Sequence, residues 1–143
     1  MAITVYKPNH AKYMISTGGV VLSTDTIKAV LLDTSFTPNI DTHATLSDIT
    51  ANQLSTEYGY TQNNKTVTNQ AVTENDTTDK AEWDCDDVTW TASGGDIGPF
   101  QYLAFYSDTS SDDTVLAIID YGVSYTITDG ASFTAKDNQI TIG

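Results

Sequence analysis

Apolar and polar positions form distinct blocks in the last third of the chain. Two apolar runs, 100–106 and 115–120, flank a polar segment, 107–114, that is rich in Asp, Ser and Thr. Both runs are dense in aromatic and β-branched residues, are too short for ordinary helices, and end at turn-forming residues. The pattern predicts a central β-hairpin whose arms are buried on both faces and joined by an acidic, solvated loop.

The N-terminal region combines a short alternation with a helix signal. Ile3 and Val5 alternate with smaller or polar residues, as in a β-strand. Residues 11–15 follow, with Pro8 before them and Gly18-Gly19 after them, which is the expected punctuation of a helix of one or two turns. A strand over the second half of that segment remains an alternative.

The next region contains one strand and then a long polar stretch. Ile27–Leu32 alternates poorly, which predicts a strand buried on both faces. Residues 35–56 are polar and contain proline, so no strand is expected there. Thr45 is a possible helix cap and Asp48 suits a first turn. A short helix or ordered loop would then carry three apolar side chains at near-helical spacing, Leu46, Ile49 and Leu54.

Short strands are predicted through the middle of the chain. Residues 58–61 begin an exposed β run, and 66–68 and 71–73 alternate as strands with one wet face. Strict alternation then places three residues on one face, Ala81, Trp83 and Cys85. Val88 and Trp90 align on the strand that follows. Residues 94–99 are expected to form a loop.

The C-terminal part predicts a hairpin and a closing strand. Residues 124–128 alternate, and Asp129-Gly130 is a two-residue hairpin signal that makes 131–135 the return arm. Asp137-Asn138 predicts another turn, and Gln139–Ile142 a terminal strand. With about eight to ten short strands, the fold class is mainly β. We predict a single-domain antiparallel β-sandwich over 1–143, jelly-roll-like or immunoglobulin-like.

The length and domain organisation fit this fold class. A chain of 143 residues is about one domain. The N-terminal segment, residues 1–19, holds the first of one or two short helices expected in the N-terminal half. No apolar run approaches the ~20 residues needed to cross a bilayer, and the N-terminus does not resemble a signal peptide.

The charge narrows the classes of partner. Six basic residues against nineteen acidic ones give a formal net charge of −13. Such a balance argues against nucleic acid and against an anionic membrane surface, because both require clustered cations. The single cysteine, Cys85, cannot form an internal disulfide, and no cysteine cluster suits zinc. This is typical of assembly in a reducing cytoplasm.

Two acidic corners are the only candidate metal sites. Loops dense in Asp and Ser can bind Ca²⁺, but neither corner has EF-hand spacing. Asp also populates turns because its side chain mimics a backbone acceptor, and we favour that interpretation. We therefore predict no metal and no cofactor. The low-probability ligands are Asp84, Asp86 and Asp87 at one corner and Asp108, Asp112 and Asp113 at the predicted hairpin tip.

Catalytic chemistry has little support in the sequence. His10 and His43 lie far apart, and structural or solvent roles are favoured for both. No nucleophile elbow, zinc-protease, phosphate-loop or dinucleotide motif is present. Six aromatic residues suggest either a sugar-binding platform or core packing, and alternation favours the core. They are Trp83, Trp90, Phe100, Tyr102, Phe105 and Tyr106.

The order of turns and strands resembles a known family. A short opening, MAITVY, precedes a helical segment, and then come DTIKAVLLDTSFTPNIDTH, YGYT, DCDDVTW and YLAFYSDTSSDDTVLAIIDYG before a last pair of strands. The most specific pieces are 25–32 with Thr37-Pro38, 86–90 and 104–122. Together they resemble the small β-rich structural proteins of tailed bacteriophages. The N-terminal helix is shorter and less charged here than in that family.

The resemblance implies a non-enzymatic virion component, with no catalytic or ligand residue to transfer. It implies a capsid decoration (cement) protein on the capsid surface, assembled in the host cytoplasm. Its partners would be the major capsid protein or other virion proteins, and copies of itself, with a trimer as one form. Tail, neck or fibre-base placement is the alternative. A receptor- or glycan-binding module is an alternative of another class.

Overall fold

The computed structural model describes residues 3–136 and 138–142. Two α-helices are present in this part of the chain, Asn9–Thr17 (α1) and Leu46–Ile49 (α2), with a 3₁₀ turn at Thr50–Asn52. The strands are Thr4–Tyr6 (β1), Ile27–Leu32 (β2), Lys65–Thr66 (β3), Ala71–Asn75 (β4), Lys80–Asp84 (β5), Val88–Thr91 (β6), Ile97–Ser107 (β7), Val115–Ile127 (β8), Ser132–Ala135 (β9) and Gln139–Ile142 (β10). All pairing between these strands is antiparallel, which confirms the predicted mainly β, sandwich-like class with two short helices.

The predicted central hairpin forms the middle of a five-stranded sheet of order β1-β8-β7-β2-β3. Leu103 and Phe105 face one side of β7 and enter one hydrophobic cluster. Ala104 and Tyr106 face the other side and enter a second cluster. Both arms of the hairpin are therefore buried on both faces, as predicted, and so is β2.

The two faces of the central sheet are covered by different layers. Two smaller sheets, β10-β5-β4 and β6-β9, contribute Trp83 and Trp90 to the larger cluster, which also contains Leu103. On the opposite face, α2 contributes Leu46 and Ile49. The predicted short helix after Thr45 thus exists and packs, together with Phe36, against that face of the sheet, because an apolar strand surface must be covered on each side.

Two strands extend beyond their predicted ends. β7 begins at Ile97, so the predicted loop over 94–99 is wrong in its second half. β8 continues unbroken to Ile127, where a separate strand was expected. Register shifts separate the paired stretches, and Gly98 (φ 122°) and Gly122 (φ 73°) both lie in the left-handed region. Glycine tolerates this conformation, so the ladder bulges and continues at positions where the sequence suggests a break.

The predicted hairpin around Asp129-Gly130 is half right. The Ala131 N–H donates to the Thr128 carbonyl at 2.7 Å, so the chain turns there. β9 then pairs with β6 rather than with β8. A turn signal fixes only the reversal of the chain, whereas the strand partner depends on burial. Asn138 is buried, and the turn predicted at Asp137-Asn138 lies partly outside the described residues.

Pro8 and Gly18 set the two ends of α1, as predicted. Pro8 precedes the helix and Gly18 ends it with φ 83° in the left-handed region, so the alternative strand over 13–15 is wrong. Within the described residues, neither helix is long and apolar enough to cross a membrane. Residues 58–61, predicted as exposed β sequence, form a turn in which Tyr60 is buried.

Candidate docking surface

β1 provides an open edge of the central sheet. It pairs with β8 through Thr4↔Asp120 and Tyr6↔Ile118, and in the described part of the chain no strand lies on its other side. Ile3 is 62% exposed and Val5 40% exposed. A sheet edge presents unpaired N–H and C=O groups that can accept a strand from another chain. Apolar side chains beside such an edge strengthen that contact.

Exposed apolar residues concentrate near the N-terminus. Half of the large hydrophobic side chains found exposed in the described residues lie between positions 3 and 21, namely Ile3, Val5, Tyr13 and Val21. The first two lie on or beside β1, and Tyr13 lies on α1. Scattered exposed apolar residues are normal on a protein surface, so the two that bear on docking are Ile3 and Val5, which lie at the open edge.

A cleft of about 430 Å³ lies between α1 and β10. Its walls are largely apolar and consist of Ala11, Ile15, Leu116, Ile140 and Ile142, with Lys7, Lys12, Ser16 and Thr141 at the polar positions. The Lys7 ammonium donates to the Thr141 carbonyl at 2.8 Å, which fixes this lysine at the outer edge of β10. Pockets of this size with apolar walls and a few polar groups are typical binding sites.

His10 joins α1 to the tip of the central hairpin. Its Nε2 lies 2.7 Å from Asp112 Oδ2, and the Thr114 hydroxyl donates to Oδ1 of the same carboxylate. Partial burial alone would raise the pKa of Asp112, but the hydrogen bonds from Thr114 and His10 outweigh it and lower the pKa. His10 therefore has the geometry of an anchor, consistent with the structural role favoured from sequence.

The hairpin tip differs from the solvated loop predicted for it. Ser107 and Thr114 are fully buried, and the Ser107 hydroxyl donates to Asp25 Oδ2 at 2.8 Å. Ser110 is also buried, and its hydroxyl accepts from the Thr114 N–H at 2.9 Å. The hydroxyl groups of Ser107 and Ser110 thus replace water as partners inside the tip, whereas Asp108, Thr109 and Ser111 are exposed.

The three tip carboxylates have separate surroundings. Asp108 pairs with the Lys28 ammonium at 3.2 Å, while Asp112 binds His10 and Thr114. Partial burial and the neighbouring charges of Asp108 and Asp112 raise the pKa of Asp113. In the described part of the chain, no three acidic, His or Cys side chains are arranged as a metal-ligand set.

The other acidic corner also consists of local contacts. Asp86 accepts from the Asn69 amide at 2.6 Å and from the Thr68 hydroxyl at 3.2 Å. Asp84 and Asp87 line a polar recess of about 310 Å³ together with Cys85. Burial, the largest effect, raises the pKa of the Cys85 thiol to about 11, so it is protonated at neutral pH.

The predicted aromatic residues belong to the core. Trp83 and Trp90 are buried, and the Trp83 indole N–H donates to the Leu22 carbonyl at 3.1 Å. The other four are buried as well, so the sugar-binding platform considered from sequence is wrong for this set, Phe100, Tyr102, Phe105 and Tyr106. Core packing, the favoured interpretation, is confirmed.

A partly exposed aromatic cluster was missed by the sequence analysis. Tyr121, Tyr125 and Phe133 contact one another, with ring centroids 5.4 to 5.9 Å apart. The first two lie on β8 and the third on β9, two strands that do not pair. The only local signal is the i, i+4 spacing of the two tyrosines, which places both on one face of a regular strand but does not indicate that Phe133 of another strand joins them.

His43 packs against the layer that covers the second face of the sheet. Its ring stacks on Phe36 with centroids 4.8 Å apart, and its Nδ1 accepts from the Asn39 N–H at 3.0 Å. These contacts are structural, as favoured from sequence. His43 and His10 make separate contacts and do not form one site.

The cleft, too, was missed by the sequence analysis. Its two lysines lie in the first twelve residues, whereas Ile140 and Ile142 lie at the end of the chain. The alternation of the last strand gave the only local signal. Comparisons with family models, with curated proteins and with solved structures give no match.

Proposed function

We propose that this chain is a non-enzymatic structural protein of a tailed-bacteriophage particle, a capsid decoration protein that binds the assembled head. The observation that carries the proposal is the open edge of β1 with its exposed Ile3 and Val5. The sequence resemblance supplies the class of particle. The edge supplies a physical means of attachment, because a strand of the shell can extend the central sheet there.

The rest of the molecule suits a component that is added to a finished shell. In the described residues, no buried side-chain nitrogen or oxygen lacks a hydrogen-bond partner. No buried polar side chain in this part of the monomer therefore needs another chain to complete its hydrogen bonds. Its net charge of −13 limits association at random surfaces while it accumulates.

The partner in this proposal is the major capsid protein or another virion protein. Copies of the chain also associate with one another, with a trimer as one form, since closed symmetry is the rule for oligomers of identical chains. The protein is assembled in the host cytoplasm and then resides on the capsid surface. Nucleic acid and membrane are not its partners, because a −13 chain lacks the clustered cations that both need.

Binding to undecorated heads tests the proposal. Purified protein should bind at a fixed copy number per head and raise the temperature at which heads open. Val5→Asp places a charge on the docking edge and should weaken binding, whereas Ile40→Asp makes the same change at another exposed apolar site and should not. Heads that take up no protein would overturn the head assignment, and equal binding by both variants would overturn the use of the β1 edge.

Placement in the tail, neck or fibre base is the alternative within the same class. Copy number in a virion reconstruction separates the two placements. A decoration protein covers the shell in many copies, whereas a tail component forms one small ring about the tail axis. Density for this fold only at the tail would replace the head assignment.

A further inference from the structure

We propose that the cleft between α1 and β10 receives β4 of a second copy of this chain, so that copies associate head to tail. The proposal deepens the function proposed above by naming the contact between copies. It rests on that function only in placing the associated copies on a virion, since association of the free protein can be measured without any virion.

The cleft is positively charged in an otherwise acidic molecule. Lys7 and Lys12, two of the six basic residues, line it. Neither lysine pairs with a carboxylate in the described residues, although the chain carries nineteen acidic side chains. Two of the hydrogen bonds that the Lys7 ammonium can donate go to Thr141, which leaves one for an incoming acceptor. The cleft thus favours an occupant that is apolar and carries a carboxylate.

β4 has these properties and lies at the opposite edge of the same sheet. The order β10-β5-β4 leaves one edge of each outer strand without a strand partner in the described part of the chain. On β4, Val72 is 39% exposed and Glu74 is exposed two positions later on the same face. The turn that follows adds Asp76 and Asp79, so this edge is negatively charged as well as apolar.

The strand register places particular side chains of the two outer strands, β4 and β10, on the same face of the sheet. Val72 lies opposite Trp83, which lies opposite Ile140. Glu74 is related to Ile142 in the same way through Ala81. Directly opposed residues project from the same face. If β4 of another copy continues this sheet beyond β10 with the same face inward, its Val72 lies on the face of Ile140 and Ile142, two residues of the apolar wall of the cleft.

Charge complementarity makes β4 of a second copy a better occupant than a neutral apolar segment. With Val72 in the cleft, Glu74 lies two positions along the same face of the incoming strand and therefore also faces the cleft, which Lys7 and Lys12 line. The contact joins two different surfaces of the same chain, so it is heterologous. Such contacts form a closed ring when the rotation between copies closes, and a filament when it does not.

The test is a charge exchange between Lys12 and Glu74, both exposed. Sedimentation equilibrium of the full chain at low salt should show concentration-dependent association. Lys12→Glu and Glu74→Lys should each weaken association about tenfold, because each replaces an attraction by a repulsion. The double variant restores opposite charges with the signs exchanged, so it should associate within about threefold of the wild type.

Matched controls separate this contact from net charge. Lys136→Glu and Glu57→Lys make the same charge changes at exposed sites outside the cleft and β4, and should associate as the wild type does. Circular dichroism verifies that every variant is folded. A wild type that stays monomeric at all concentrations overturns the proposal, and so does a double variant no better than the singles. Either result leaves head binding through β1 intact, so the two proposals fail separately.

Binding of another occupant is also an outcome of these measurements. If the wild type is monomeric and loses head binding on Lys12→Glu but not on Lys136→Glu, the cleft holds a shell segment instead of β4. That result overturns self-association through the cleft.

Discussion

The hydroxyl of Tyr60 satisfies two polar groups in the interior. It accepts from the Leu31 N–H at 3.0 Å and donates to Gln53 Oε1 at 2.8 Å. Burial, the largest effect, raises the pKa of this hydroxyl, so it remains a donor at neutral pH. Tyr60→Phe should lower the free energy of unfolding by about 1–3 kcal/mol, because it leaves buried polar groups without a partner. Urea denaturation followed by tryptophan fluorescence measures the loss.

Tyr58→Phe is the matched control for that prediction. Tyr58 is 44% exposed in the same turn, so water can serve as the hydrogen-bond partner of its hydroxyl. Its removal should change the free energy of unfolding by less than about 0.5 kcal/mol. Equal effects of the two substitutions would show that the Tyr60 hydroxyl has no special role.

Asp112 should make the stability of the fold depend on pH. Because its pKa is lowered in the folded protein, the carboxylate stabilises the fold above the unfolded value of about 3.9. This contribution is lost as the pH falls through the folded pKa, below that value. Wild type should therefore exceed Asp112→Asn in free energy of unfolding at pH 6, and the difference should shrink towards pH 3.

The same comparison at a neighbouring carboxylate provides the control for pH. The pKa of Asp113 is raised, so its charged form is disfavoured by folding, and Asp113→Asn should be neutral or stabilising near neutral pH. A wild-type advantage over Asp112→Asn that does not change with pH would contradict the proposed contribution of the carboxylate charge.

At the scale of single elements, α2 depends on one carboxylate at its start. Asp48 Oδ2 accepts from the Thr45 N–H at 2.9 Å and from the Ala44 N–H at 3.0 Å. The bond from Thr45 is the largest effect and lowers the pKa of Asp48. Asp48→Ala should cost about 0.5–2 kcal/mol of unfolding free energy, measured in urea, because the first turn loses its cap.

Asp76→Ala removes an exposed carboxylate without a capping role, and it should leave the midpoint of unfolding nearly unchanged. The contrast matters because α2 has only four residues, yet it holds Leu46 and Ile49 on the second face of the central sheet. If both alanine variants unfold alike, the cap does not hold that layer in place.

Elements were predicted well where their signals are local. The helix ends were predicted from local residues, because a helix end is determined by the few residues around it. These residues are Thr45 and Asp48 at the start of α2 and Gly18 at the end of α1. Strand partners were predicted less well. β9 pairs with β6, forty-odd positions back, because Phe133 and Ala135 pack into the cluster that contains Trp90.

The charge of the whole molecule leads to opposite effects of salt on two measurements. A net charge of −13 destabilises the monomer by self-repulsion, so NaCl should raise its thermal midpoint by screening. The contact between the cleft lysines and Glu74 is an attraction, so the same salt should weaken association of copies. Calorimetry and sedimentation over one salt series measure both.

KCl at equal ionic strength serves as the control, since screening depends on ionic strength and not on the cation. Salt that strengthens association would indicate that apolar burial by Val72 and the cleft wall dominates the contact. Salt that lowers the thermal midpoint would show that repulsion among the acidic residues is not the main electrostatic effect in the monomer.

The sequence by itself determined the central hairpin and β2, because an apolar run without alternation can be stable as a strand only if both faces are covered. It also indicated both helices, with a strand over 13–15 and an ordered loop after Thr45 left as alternatives. It determined the burial of Trp83 and Trp90, since alternation assigns each side chain a face. Only the tertiary structure decided which strands pair, where glycine bulges extend β7 and β8, and that Lys7 meets Thr141 across 134 positions. Those outcomes depend on contacts between distant segments, which no local pattern encodes.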